Sequence, residues 1–294
     1  MPEYAVNLSA HETAAVDDLI NFARPPVTEL VLGVQFSESI VDLDVVAAFG
    51  LRTKAELPRR EHHGPLARTT ESFAPAPSAR RIAFEVMRGF ELPRTWFISD
   101  DEREVVQMQA DRLIFNWRRM TPDDDYPRYA RLRPIFERHL ATLRHCLADA
   151  GRSSGIVDLA EVTYVDELAV PDAPAGMHPP LSRSLELVRD VAAGGPLPAA
   201  EDMRVQARFR IPDPNGGDRP AGRLYVDAEP SLRAADRTPI YLLKLTANIV
   251  MPMPDDAALV GALDLGREWA VRGFEQITTK EVKALWQPLP TENA

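Results

Sequence analysis

An α+β fold, an antiparallel sheet or pair of sheets with helices packed on one face, is what this sequence predicts, and three features predict it. Segments whose apolar residues recur every second position alternate with segments whose apolar residues recur at helical spacing. Proline- and glycine-rich stretches punctuate them. The order strand, helix, three strands, helix can be written twice, with a join near residue 151, although the halves share negligible residue identity.

The chain has 294 residues, 45% hydrophobic and 27% charged, an ordinary globular composition long enough for one large domain or two modest ones. Residues 1–23 read as a polar leader with a weak helical pattern at Ala14, Ala15, Leu19 and Ile20, stopped by Pro25-Pro26. A strand follows over Thr28 to Phe36, where Leu30, Leu32, Val34 and Phe36 alternate with Glu29, Val31, Gly33 and Gln35. Asp42 or Asp44 can cap a short helix carrying Val45, Val46 and Phe49. Residues 58–93 are rich in Pro, Arg and Ser, with apolar patches at Leu66 to Phe73 and Ile82 to Met87 that fit short strands.

Thr95 to Ser99 reads as a strand, and Glu104 to Arg118 as its long antiparallel partner across a turn at Asp100 to Arg103. The partner's apolar phase switches from Val106 and Met108 to Leu113, Phe115 and Trp117, which a bulge or tight turn near Ala110-Asp111 would explain. An amphipathic helix then carries Leu132, Ile135, Phe136, Leu140, Leu143 and Leu147, ended by Gly151. The second half gives a strand at Val157 to Leu168, a helix at Leu181 to Ala192, strands at Met203 to Ile211, Arg223 to Ala228 and Tyr241 to Val250, and helices at about Asp255 to Phe274 and Lys280 to Trp286. The resulting division is a leader (1–23), an N-terminal α+β unit (24–151), a C-terminal α+β unit (152–276) and a helical tail (277–294). One continuous saddle-like sheet is one way to join the units.

Forty-four acids against 34 Lys and Arg leave a net charge of -10, which opposes broad attraction to phosphate backbones, so nucleic acid is disfavoured as a partner. No basic leader with an apolar run and no membrane-length apolar stretch is present, so the expected location is the cytoplasm. The lone Cys146 fits a reducing compartment and a small buried hydrophobe.

The densest polar constellation is Gln107, Gln109, Asp111, Arg112, Asn116 and Arg118. In a regular strand the first three project to one face and the last three to the other, and a bulge near Asp111 could unite them. Two amides, a carboxylate and guanidinium groups would then orient a ligand by hydrogen bonds. The alternative is a sheet-face network in which Asp111 or another acid pairs with Arg112 or Arg118. Further on, Arg204, Gln206, Arg208 and Arg210, joined by Tyr225, Asp227, Lys244, Thr246 and Asn248, form a polar face suited to an acidic partner or nucleic acid, or more simply the solvated side of a sheet.

PPVTELVLGVQF at 25–36, QMQADRLIFNWRR at 107–119, YPRY at 126–129 and TYVDEL at 163–168 resemble a sporadically distributed family of uncharacterised bacterial proteins. The resemblance covers roughly residues 22–275 and is strongest in the first 170. It implies a bacterial cytosolic protein. The patchy distribution of that family resembles that of genes in defence, mobile-element or toxin-antitoxin loci, which implies an interaction role with another protein, encoded nearby.

Catalytic signatures are not apparent. There is no GxSxG elbow, no phosphate-binding GxxxxGK[ST] loop and no glycine fingerprint, so no cofactor is expected. His62-His63 are adjacent and point apart, and His139 and His145 are six apart on a helix, so no metal site is expected. Asp123 to Asp125 read as a solvated turn. The tail Lys280 to Ala294 either packs on its own sheet or docks on a second copy. The leading expectation is a non-enzymatic protein-interaction or accessory component; the runner-up is a small-molecule or nucleotide-sensing domain built on the 107–118 strand.

Overall fold

The computed structural model describes residues 19–74, 92–169, 177–189, 196–251 and 256–290. Its core is a nine-stranded sheet in which every neighbouring pair is antiparallel, in the order β2-β3-β4-β5-β1-β6-β9-β8-β7. The strands are β1 (Val27–Phe36), β2 (Arg59–His63), β3 (Arg94–Ile98), β4 (Glu104–Gln109), β5 (Arg112–Arg118), β6 (Val157–Leu168), β7 (Val205–Ile211), β8 (Gly222–Leu232) and β9 (Pro239–Val250). Among the described residues four α-helices accompany them: α1 (Leu43–Thr53), α2 (Tyr129–Asp149), α3 (Asp256–Ile277) and α4 (Lys280–Leu285). The α+β class expected from the sequence is thus the observed one, and the sheet is single.

Strand β1 sits at the centre because its alternation satisfies two faces. Leu30, Leu32, Val34 and Phe36 are at most 2% exposed and point into the helical layer, with Phe115, Leu113, Val162 and Ala160 beside them on β5 and β6. Helix α2 lies over β5 and β1, α3 over β6 and β9, and α1 packs against α2. Asp42 caps α1 by accepting from the Val45 amide at 3.0 Å, and Gly151, at φ +67, closes α2 as the sequence suggested. One continuous apolar core runs through both halves.

Three expected elements differ. Glu104 to Arg118 is not one strand but the hairpin β4–β5, with Gln109 paired to Arg112 across Ala110-Asp111. Neither turn residue has positive φ, and the turn is held from outside: the Ala110 carbonyl accepts from Ile40 and Val41, and the Asp111 carbonyl from Phe36. Leu66 to Phe73 is not a strand, because its backbone groups bond to side chains instead of a ladder. The strand in that region is β2, whose sequence Arg-Arg-Glu-His-His has little apolar signal, as suits a charged edge strand. The first half therefore has four strands after its helix.

The helix expected at Leu181 to Ala192 is a 3-10 turn over Leu181–Arg183 followed by irregular chain to Arg189. Backbone pairing wins there: Glu186 donates to the Ile277 carbonyl at 2.8 Å and Thr279 to the Ser184 carbonyl at 3.0 Å. Leu181 and Leu185 still reach the core at helical spacing. The leader up to residue 18, the Ile82 to Met87 patch and residues 190–192 lie outside the described residues.

The tail packs on its own chain. Thr279 caps α4, and Trp286 stacks against Phe274 at 5.1 Å and Phe22 at 5.6 Å. Among the described residues no helix is long and apolar enough to cross a membrane.

A side chain cannot be added everywhere on this sheet. A Cβ on Gly222 would lie 2.1 Å from the Asn248 carbonyl oxygen, which is backbone and cannot swing away. Gly222→Ala is expected to destabilise the protein by about 1–3 kcal/mol in urea titrations, against a near-neutral Gly261→Ala, where a Cβ meets nothing within 4 Å.

Candidate functional site

The hairpin turn decides where the polar constellation goes. Folding at Ala110-Asp111 pairs Gln109 with Arg112 and places Gln107, Gln109, Arg112, Asn116 and Arg118 on one face of the sheet, opposite the helices. Asp111 stands in the turn beside them. The structure therefore unites residues that a regular strand would have split.

Their hydrogen bonds go to the protein itself. Gln107 Nε2 donates to Asn116 Oδ1 at 2.8 Å, and Asn116 Nδ2 donates to Glu29 Oε1 at 2.6 Å. Arg112 donates to Gln35 Oε1 at 2.8 Å, to the Ala67 carbonyl at 3.0 Å and to Asp111 Oδ1 at 3.3 Å. Arg118 donates to the Glu102 carbonyl at 3.1 Å and lies over the Trp96 ring. Gln107, Gln109, Arg112 and Asn116 are all buried, which forces such pairing on polar groups.

The partner that gives this face its character is the segment 65–73. It runs across the strand ends from β4 to β7, gripped at intervals. Gln109 makes two bonds to one residue's backbone: the Leu66 amide donates to Oε1 at 2.9 Å and Nε2 donates to the Leu66 carbonyl at 3.0 Å. Gln35 does the same three residues on, accepting from the Thr69 amide at 2.9 Å and donating to its carbonyl at 2.9 Å. A primary amide used this way presents the donor and acceptor pair that a neighbouring strand would. Arg223 donates to the Ser72 carbonyl at 2.7 Å and Arg210 to the Phe73 carbonyl at 2.8 Å.

Two side chains of the segment are also bound. Arg68 donates to the Phe36 carbonyl at 2.6 Å, pairs with Asp158 and reaches Asp111 at 3.4 Å. Glu71, whose side chain is 1% exposed, accepts from Tyr225 Oη at 2.8 Å and Asn248 Nδ2 at 2.9 Å and pairs with Arg223 at 3.2 Å. Of the C-terminal polar face, Tyr225 and Asn248 thus bind an acid that the chain itself supplies. Gln206, Arg208 and Arg210 on edge strand β7 are exposed.

Beside the segment lies a cavity of about 890 Å³ lined by Asp42, Leu43, Asp44, Leu66, Arg68 and Asp111, among others. Gln109 and Asp111 are the two members of the six-residue constellation that touch it.

A second polar cluster sits at the opposite end of the central strands, on the helical face, where segments of the quoted motifs meet. Arg119 donates to the Pro25 carbonyl at 3.1 Å, and the Glu167 amide to the Pro26 carbonyl at 3.0 Å. Tyr126 packs between Trp117 and Tyr164, while Tyr129 Oη donates to Asp264 Oδ1 at 2.8 Å, where Arg133 also binds. Burial drives the carboxyl of Asp166 up to about 8, only partly offset by the Arg119 charge. On α2, burial lowers His139 to about 4, helped by Arg138, and its ring lies between Phe49 and Phe115. Asp124 accepts from the Met120 and Thr121 amides and from Arg103, which holds it well below the usual carboxylate range.

Gln35, Glu71 and Asp166 carry this geometry but were not singled out by sequence. Gln35 falls in the polar phase of a strand, Glu71 within the patch expected as a short strand, and Asp166 within the expected strand Val157 to Leu168. No signal in one sequence reports that each is buried. Among the described residues no group of three or more His, Cys, Asp or Glu could hold a metal ion. No family model matches the chain, and no curated protein does.

Two outcomes follow from these environments. Gln35→Ala strands two backbone groups of Thr69, so it should lower stability by about 1–3 kcal/mol and speed hydrogen exchange at the Thr69 amide more than in β1. Between about 4, the unfolded carboxyl value, and about 8, the folded chain keeps an Asp166 proton that the unfolded chain has released, so stability falls as pH rises. Between about 6.5 and about 4, the unfolded chain takes up a His139 proton that the folded chain refuses, so stability falls as pH drops. The slopes oppose below 6.5, leaving Asp166 to act alone from about 6.5 to 8. Asp166→Asn should flatten that upper window in denaturation curves, and His139→Phe should extend the decline to lower pH.

Proposed function

We propose that the chain is a protein-interaction component that acts by holding an extended polypeptide segment on the face of its sheet opposite the helices. The observation that carries this reading is the grip on residues 66–73: paired amide bonds from Gln109 and Gln35 and guanidinium bonds from Arg112, Arg223 and Arg210 all fall on backbone groups. A surface that binds main chain through side chains is equipped to bind main chain from elsewhere. The setting proposed for this role is an accessory component of a bacterial defence, mobile-element or toxin-antitoxin-type locus, as the motif resemblance implies.

Small-molecule or nucleotide sensing by the 107–118 residues takes second place. It asks for several of the six side chains to face one cavity, whereas Gln107, Arg112, Asn116 and Arg118 bond to other parts of the chain and only Gln109 and Asp111 reach the cavity wall.

A photo-reactive residue tests the interaction reading in the source cell. Lys244, exposed on this face of β9, is replaced by benzoylphenylalanine, with Leu51, 76% exposed on α1, as the control position. The expected result is a protein adduct of one defined mass at position 244 and not at 51. No adduct at 244, or the same adducts at both positions, would count against the proposal.

A further inference from the structure

We infer that residues 66–73 are an exchangeable internal ligand, and that the site they fill receives an extended segment of a partner protein carrying a basic residue followed three positions later by an acidic one. This deepens the interaction reading above and rests on it.

The backbone grip is indifferent to sequence, since every extended peptide offers the carbonyls and amides that Gln109, Arg112, Gln35, Arg223 and Arg210 engage. Selection comes from the two charged positions. Arg68 lies between Asp111 and Asp158, and Glu71, three residues later, is enclosed by Arg223, Tyr225 and Asn248. The spacing is set by the sheet, because those groups project from the β4–β5 turn and β6 and from β8–β9 respectively. A ligand of reversed charge order would place a base against Arg223 and an acid against Asp158.

Part of the receptor side is braced independently of the segment, Gln109 by Asp111 and Gln35 by Asp158. Gln35, Gln109, Arg112 and Asn248 are between 3% and 6% exposed, and Arg112 is braced by Gln35 and Asp111. Side chains fixed in this way lose little freedom when a ligand arrives. The segment is the opposite. Pro65, Leu66, Ala67, Arg68, Thr70 and Ser72 are exposed, and Leu66, its largest aliphatic residue, is 39% exposed. It is therefore held mainly by polar bonds that a competitor can replace one for one, and not by burial in the core.

Departure without replacement is disfavoured. It would cost Gln35, Gln109 and Arg223 the backbone partners they hold, with no partner of matching geometry in their place. The site accordingly favours exchange over simple opening, and exchange demands an acid at the position of Glu71. An uncharged or purely hydrophobic segment would not meet that demand.

The test uses a fluorescent peptide of residues 64–74, GPLARTTESFA, and a peptide with the two charges interchanged. Both are titrated by fluorescence polarisation against the full chain and against the Arg68→Glu/Glu71→Lys variant, whose own segment misfits both charge sites. Expected is saturable binding of the native peptide to the variant, at least tenfold tighter than the interchanged peptide and than binding to the unaltered chain. Adding Gln35→Ala/Gln109→Ala should abolish it. A folded variant that binds neither peptide, or both equally, overturns the inference. Should the variant fail to fold, hydrogen exchange of the unaltered chain decides: Leu66 and Thr69 amides exchanging well ahead of β1 support an exchangeable segment, and exchange only through global unfolding overturns it. No natural partner enters this assay, so its failure is distinguishable from a failure to find an adduct at Lys244.

Discussion

Strand β1 is hydrogen-bonded along both edges, to β5 on one side and β6 on the other, and the placement of Gln35, Arg112, Asn116 and Glu29 follows from its register. Val34 opposite Leu113 and Ala160 commits even-numbered β1 residues to the helical layer, so Gln35 opposite Arg112 and Leu159 must lie on the other face. A slip of one residue would exchange the two sets. It would bury Glu29 and Gln35 beneath α2 and expose Leu32 and Phe36, an outcome that two flanking strands with their own alternation oppose together.

The same register explains why the hairpin between β4 and β5 closes where it does. Its two turn residues lack the positive φ that short hairpins usually adopt, and their carbonyls are occupied by amides of Phe36, Ile40 and Val41. The turn is thus a product of the end of β1. With it come the convergence of Gln109, Arg112 and Asp111 and the docking of 65–73, since Gln35 and Gln109 can grip residues three apart only while β1, β5 and β4 keep their alignment.

Elements governed by local alternation were legible in the sequence. β1, β3, β6, β8, β9, α2 and α3 bury one apolar stripe each, and period alone locates them. The failures share another cause. β2 has no apolar stripe because it is an edge. Leu181 to Ala192 has a helical stripe, but the backbone of Ser184 and Glu186 is claimed by Ile277 and Thr279, roughly ninety residues away. The phase switch at Ala110-Asp111 was visible, whereas its realisation as a hairpin depended on amides from β1. The candidate site was legible as residues and not as partners: Gln107 to Arg118 stand out by composition, while Gln35, Glu71 and Arg223 come from three other parts of the chain.

The two faces of the sheet hold their polar groups by different physics. On the helical face Asp166 has one charged neighbour, Arg119, itself partly desolvated, so the carboxyl keeps its proton well into the neutral range. On the opposite face the Glu71 side chain is as deeply enclosed but accepts from a phenol and an amide and pairs with a guanidinium. A buried acid satisfied by neutralisation is a fixture of the core, since removing it leaves nothing that asks for a charge. A buried acid that accepts from a hydroxyl and an amide of other strands, with a guanidinium beside it, is a ligand in the chemical sense. That difference separates the segment carrying Glu71, bound through side chains of other strands, from the cluster around Asp166, which belongs to the core.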